Sequence, residues 1–176
     1  GDVIFYPGDA WEKAKKNNFI IKNDGTMVNE DYFSAYLFGK NKADMLNDPV
    51  IAFKNEQPVR LIIKINKVSD DNELNAEING RNVMAVSLCA KDFDAKKYLE
   101  EWKIYQADIS REFVLEVPEG DNEILLHNKG NDWIKIESIK VENFMNARMA
   151  PVFVSGVQGP GSAYLWLKSA DYGWQK

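Results

Sequence analysis

The chain has 176 residues, a size that fits one ordinary domain. Hydrophobic residues make up 45% and charged residues 28%, the balance of a globular protein, which excludes a disordered tail as the overall class. The 27 acidic residues outnumber the 22 basic ones for a net charge of −5, so the surface repels phosphate backbones and nucleic acid is not an expected partner.

No run approaches the roughly 18 consecutive apolar residues of a membrane helix, and no membrane partner is expected. The single cysteine, Cys89, excludes an internal disulfide framework and a zinc site of several thiolates. The single histidine, His127, leaves most metal-hydrolase and Ser-His-Asp arrangements hard to assemble. Five Trp, seven Tyr and nine Phe supply rings for a core and also for a flat ligand. The start at Gly1 and the stop just after Trp174 read as those of a piece of a longer chain. One cysteine suits a bacterial cytoplasm and a disulfide-free exported protein equally well.

In chain order, the first predicted element is a short helix over Asp9–Asn17. Asp9 is its N-cap, Glu12 sits three positions on, and lysines fill the last turn. The stretch from Phe93 to Trp102 is a second helix candidate, with Tyr98 and Trp102 one turn apart. Strands are predicted nearly everywhere else. Leu61, Ile63 and Ile65 alternate with Lys64 and Asn66, and Leu74–Ile78 alternates as cleanly. Asn79-Gly80 is a hairpin signal leading into Val83–Leu88. Phe113–Val117 ends at Pro118, and Ile124–Asn128 is followed by a turn into Trp133. The inward phase changes between Ile134, Ile136 and Ile139, Val141, so a bulge is predicted at Glu137-Ser138. A final pair is predicted at Ala150–Ser155 and Ala163–Leu167. Short strands with turn signals at about 8–12 residues predict an all-β fold, an antiparallel β-sandwich of jelly-roll size.

Acidic pairs are plentiful (Glu100-Glu101, Asp70-Asp71), but none sits where a glycosidase pair would be recognised. No nucleophile-elbow motif occurs, and Cys89 reads as a buried small hydrophobe. These absences argue against an enzyme, with a small glycosidase or esterase as the weakest alternative. The Asp/Asn loops at Asn23-Asp24-Gly25, Asp70-Asp71-Asn72 and Asn131-Asp132 have two readings, a structural calcium staple or ordinary polar turn chemistry. The aromatics fit sugars, whose C–H faces stack on rings while their hydroxyls bond to adjacent amides and carboxylates. Trp102, Tyr105, Trp133 and Trp166 are the stacking candidates, with Gln106, Asn131 and Asp132 as polar partners. Each ring has a competing use in packing.

Three stretches then carry a resemblance. They are Tyr36–Lys40 with Asn47–Phe53, then Val68–Gly80, then Pro118–Ile136 with its Asn-x-Gly-x-Asp-Trp segment. The succession resembles the accessory β-sandwich domains of bacterial glycoside hydrolases of the cellulase-like clan, which are similar to galactose-binding-like carbohydrate-binding modules. The tail Ala163–Leu167 with Tyr172-Gly173-Trp174 is also similar to the Leu-Trp strand and terminal Tyr-x-Trp of such proteins. The resemblance implies a non-catalytic, monomeric module that holds a polysaccharide or oligosaccharide for an adjoining glycoside hydrolase domain. It implies a secreted or cell-surface bacterial location. It covers residues 34–174 and places a carbohydrate-binding domain at 31–176; residues 1–30 do not match the family pattern and are expected to form a helical extension packing on that domain. The alternative is a spacer sandwich whose rings all pack against a neighbouring catalytic domain.

Overall fold

The computed structural model describes residues 1–9, 18–29, 34–45, 48–144 and 164–167. They form an all-β sandwich of two sheets. Its strands are β1 (Val3–Tyr6), β2 (Asn18–Ile21), β3 (Met27–Asn29), β4 (Tyr36–Phe38), β5 (Val50–Asn55), β6 (Val59–Ser69), β7 (Glu73–Ile78), β8 (Arg81–Ser87), β9 (Lys96–Leu99), β10 (Ile104–Val117), β11 (Gly120–Asn128), β12 (Trp133–Glu142) and β13 (Tyr164–Leu167). One sheet runs β13-β1-β12-β6-β10-β9, with β4 also on β12, and the other runs β3-β2-β5-β11-β7-β8. Pairing is antiparallel except between β2 and β5.

The predicted alternation places the core. Leu61, Ile63 and Ile65 of β6 face Leu74 and Ala76 of β7 and Ile124 and Leu126 of β11 in one fully buried cluster. Neighbouring outward positions on β6 and β12 carry Lys64–Glu137 (2.9 Å) and Arg60–Glu142 (3.4 Å) ion pairs. Such exposed pairs keep the face wet and add little stability. The Asn79-Gly80 hairpin is present, with both residues at positive φ (53° and 81°), the geometry of a tight two-residue turn.

The predicted bulge is also present, and it is part of a larger irregularity. On β12, Ile136 pairs with Ile65 and Ser138 with Lys64, so Glu137 is the extra residue. On β6, Asn66 is skipped between the Lys135–Lys67 and Ile136–Ile65 pairs. On β10, Ile109 and Ser110 stand opposite that same Asn66. The central three strands are thus in regular register on either side of this irregularity and shifted across it, as bulges do.

Two expectations change. The Phe93–Trp102 stretch is no helix: it follows a short 3-10 turn at Ala90–Asp92 and holds β9, then the turn into β10. Tyr98 and Trp102 are spaced for a helical face, but Tyr98 instead pairs with Tyr105 across the β9–β10 hairpin, rings 5.1 Å apart. Long-range pairing to β10 overrides a weak local preference. Within residues 1–30, β1 joins the first sheet and β2 and β3 the second. Val3, Ile4 and Phe5 are all buried, so β1 shows no alternation from which a strand could be read. Cys89 is half-buried, its Sγ 3.4 Å from Ser87 Oγ. The predicted helix at Asp9–Asn17 falls on residues 10–17, and the predicted strand at Ala150–Ser155 also lies outside the described residues; Tyr164–Leu167 is a strand, on β1.

Candidate functional site

One end of the sandwich is built by four crossings of the chain. They are the β6–β7 turn at Asp70–Asn72, the β11–β12 turn at Lys129–Asp132, the β9–β10 turn at Glu100–Lys103, and the 3-10 segment Lys40–Met45 after β4. They stack closely. A Cβ on Gly39 would run into Gly130 O, and a Cβ on Gly130 would run into the backbone of Asn72. Only glycine permits that layering. Gly39 N donates to Asp132 O (2.6 Å), Asn41 N to Asn131 O (2.7 Å), and Asn131 N to Asp71 O (2.7 Å).

Two buried asparagines act as internal backbone. Asn128 Nδ2 donates to Leu37 O (3.1 Å) and Asn72 Oδ1 (2.8 Å), while Asn128 Oδ1 accepts from Gly130 N (2.9 Å). Asn72 Nδ2 donates to Ser69 O (2.8 Å) and Trp133 O (3.1 Å). The Asn-x-Gly of the resemblance is therefore a fold device: its side chains are consumed by main-chain groups. The three Asp/Asn loops behave as polar turns. Asp24 Oδ1 accepts from Thr26 N, and the other two are tied to each other. Among the described residues no three carboxylate, histidine or cysteine side chains gather to hold a metal.

Beside this stack lies a cleft of about 500 Å³, lined by Asn41, Lys42, Ser69, Asp70, Trp102, Ile104, Gln106, Asp132 and Trp133. Its floor is a row across three strands, Trp133–Ser69–Gln106, aligned by the registers of β12, β6 and β10. Gln106 Nε2 donates to Ser69 Oγ (3.1 Å), and the Ser69 hydroxyl donates to Asp132 Oδ2 (2.6 Å). This relay fixes the Gln106 amide and leaves its oxygen as an acceptor. Trp102, in the β9–β10 turn, is 65% exposed and forms the wall. Trp133 is 8% exposed, braced edge-on by the Tyr36 ring at 5.2 Å. Burial, together with the nearby charges of Asp71 and Asp132, pushes the Asp70 carboxyl up from its ordinary range, and Lys91 partly opposes this.

Of the seven site residues predicted from sequence, the cleft brings together Trp102, Gln106, Asp132 and Trp133. Tyr105 lies on the other side of β10 from Gln106, against Tyr98. Asn131 is half-buried and holds the turn through its backbone. Trp166 lies on β13, in register with Ile4, far along the sheet from the Ser69 row. Sequence reading misses Asn41, Lys42 and Ser69, which arrive through register and loop stacking, and finds in Asp70 only half of an acidic pair and part of a polar loop. His127 Nδ1 is 2.6 Å from Asp48 Oδ2, and burial raises the Asp48 carboxyl. That pair lies outside the cleft.

A larger depression of about 660 Å³ crosses the other sheet, lined by Ile20, Ala52, Lys54, Asp121 and Glu123 among others. Among the described residues that line it, the one ring is Phe53, which is 4% exposed and belongs to the core.

No protein-family description and no curated protein sequence matches the chain. Solved structures do resemble it at low similarity. A crystal structure of dimeric latent PorU from Porphyromonas gingivalis is 8% identical with a TM-score of 0.38, over 80% of this chain and 12% of that one. A β-glucosidase from Paenibacillus barengoltzii is 14% identical with a TM-score of 0.34, over 76% of this chain and 12% of that one. The insecticidal δ-endotoxin Cry8Ea1 from Bacillus thuringiensis is 14% identical with a TM-score of 0.27, over 54% of this chain and 17% of that one. The chain thus spans about an eighth of the length of the first two proteins. At these scores none of the three bears on function.

Proposed function

We propose that the chain is a non-catalytic carbohydrate-binding module that holds a polysaccharide for an attached or partner glycoside hydrolase. The observation that carries this reading is the cleft in which the exposed Trp102 ring stands beside Gln106, Asp132 and Asp70. A pyranose stacks its C–H face on the ring while its hydroxyls meet fixed amide and carboxylate acceptors. One exposed ring and a few hydrogen bonds correspond to micromolar or weaker affinity, about −5 to −8 kcal/mol. A tethered hydrolase gains from this by effective concentration.

The test is affinity gel electrophoresis with xyloglucan, mixed-linkage β-glucan, xylan, mannan and pectin. Retardation by one glycan, lost in Trp102→Ala, is the expected result. No retardation of folded protein by any of them overturns the reading.

A second reading, a spacer packed on a neighbouring domain, draws on Ile20 and Val28. They pair across β2 and β3 and are 44% and 37% exposed. That reading expects the isolated chain to dimerise or aggregate through this face, and Ile20→Lys to keep it monomeric in sedimentation.

A further inference from the structure

The chemistry of the cleft discriminates among glycans, and this step rests on the binding reading above. Asp132 is 7% exposed, lines the cleft, and accepts the Ser69 hydroxyl. Asp70 lines the same cleft. Neither carboxylate belongs to an ion pair among the described residues. The charged groups nearby are Asp71 on one side of the balance and Lys42 and Lys91 on the other. Lys42, half-buried on the 3-10 segment, lines the same cleft, and Asp132 is nearly buried beside it. Among the neutral groups, the Gln106 amide spends one of its two N–H donors on Ser69 and keeps its oxygen as an acceptor.

We infer that the cleft takes uncharged sugars and rejects uronic acids, with Asp70 setting the discrimination. A neutral pyranose presents hydroxyl donors to these acceptors. A uronate presents an acceptor-only carboxylate to two carboxylates against the one ammonium of Lys42, a lining of net negative charge, and repulsion in a partly desolvated cleft exceeds that in open water. Asp70 is the residue to alter because its backbone carries the site. It sits at φ 56°, its N–H donates to Tyr105 O (2.8 Å), and its carbonyl accepts from Ala90 N (2.9 Å). Asparagine tolerates that left-handed conformation and is nearly isosteric.

The experiment compares affinity electrophoresis in neutral mixed-linkage β-glucan and xyloglucan with that in C6-oxidised β-glucan and polygalacturonate, at low salt and again in about 0.5 M NaCl, where the Debye length is only a few ångströms. The expected result is at least tenfold weaker retention by the oxidised glucan than by its neutral parent. Asp70→Asn and high salt should each narrow that ratio several-fold. Equal or stronger retention by the uronate polymers overturns the charge inference and leaves the binding reading standing. A ratio that neither Asp70→Asn nor salt alters makes the exclusion steric and overturns the role of Asp70. If folded protein is retained by none of the four polymers, nor by xylan or mannan, the binding reading itself falls.

Discussion

The two ends of the sandwich are built from the same residue types and end up with different chemistry. At the end of the Asn79-Gly80 hairpin, Asn122 Nδ2 bonds to Asn55 Oδ1 (2.8 Å) and Pro118 O (2.7 Å), and Asn79 Nδ2 bonds to Asn122 Oδ1 (3.1 Å). Asn55 in turn donates to Gln57 O and Pro118 O. Neutral amides meet neutral carbonyls until each is satisfied. At the opposite end Asn72 and Asn128 do the same structural work, but Asp132, Asp70 and Gln106 keep acceptor capacity facing a cleft, beside a ring that is 65% exposed. A turn becomes a candidate site when its polar groups are not used up internally. Composition alone does not tell the two cases apart, because Asn, Asp and Gly serve both.

The largest effect that would sharpen this comparison separates the two tryptophans of the cleft end. Trp133→Ala should cost about 3–5 kcal/mol in urea unfolding, since a nearly buried ring leaves a cavity against Tyr36. Trp102→Ala should change stability by no more than about 0.5 kcal/mol. A large loss for Trp102→Ala would mean that this ring is a packing element.

The next effect sets one end against the other. Asn128→Ala and Asn122→Ala should each destabilise by about 2–3 kcal/mol, because each strands several buried backbone groups. Asn122→Ala should leave glycan retention untouched under folding conditions. If it reduces retention as strongly as Trp102→Ala does, the cleft is not where sugar binds. For Trp102→Ala itself the expected loss of affinity is about tenfold, or about 1.4 kcal/mol.

The smallest effect is in pH dependence. The Asp70 carboxyl is held above the ordinary aspartate value by burial and by Asp71 and Asp132, so the folded chain binds its proton more tightly than the unfolded chain does. Stability should therefore fall as pH rises from about 3.9 through the raised value, with the full penalty above it. Asp70→Asn should stabilise the protein slightly at about pH 7 and have no effect at about pH 3, read from paired urea curves. Stabilisation that persists at the acid end would locate the effect in something other than ionisation.

Much of the sheet structure was legible because one face of each strand is buried. The alternation of Leu61, Ile63 and Ile65, and the phase change between Ile136 and Ile139, follow from period-two packing, and the bulge lies where the phase changes. Strand β1 was not legible, since Val3, Ile4 and Phe5 are buried on both faces. Strand β9 was not legible either. Its four residues pair only with Ile104–Ala107, and nothing local distinguishes them from a helical turn. The rings and polar partners of the cleft could be nominated by residue type. Whether each faces solvent depends on hairpin geometry, which put Trp102 outside and Trp133 inside.

By itself, then, the sequence determined an all-β sandwich, most of its inward faces, one bulge, one tight hairpin, and a surplus of aromatic and acidic side chains. Those are consequences of local periodicity and turn chemistry, which act over a few residues. The tertiary structure decided which of those side chains meet. Ser69, Gln106 and Trp133 are separated by tens of residues and brought into one row by strand register. Asp70 and Asp132 are brought together because Gly39 and Gly130 allow three backbones to stack without Cβ atoms between them. Register and close approach are long-range properties, and no short window of sequence records them.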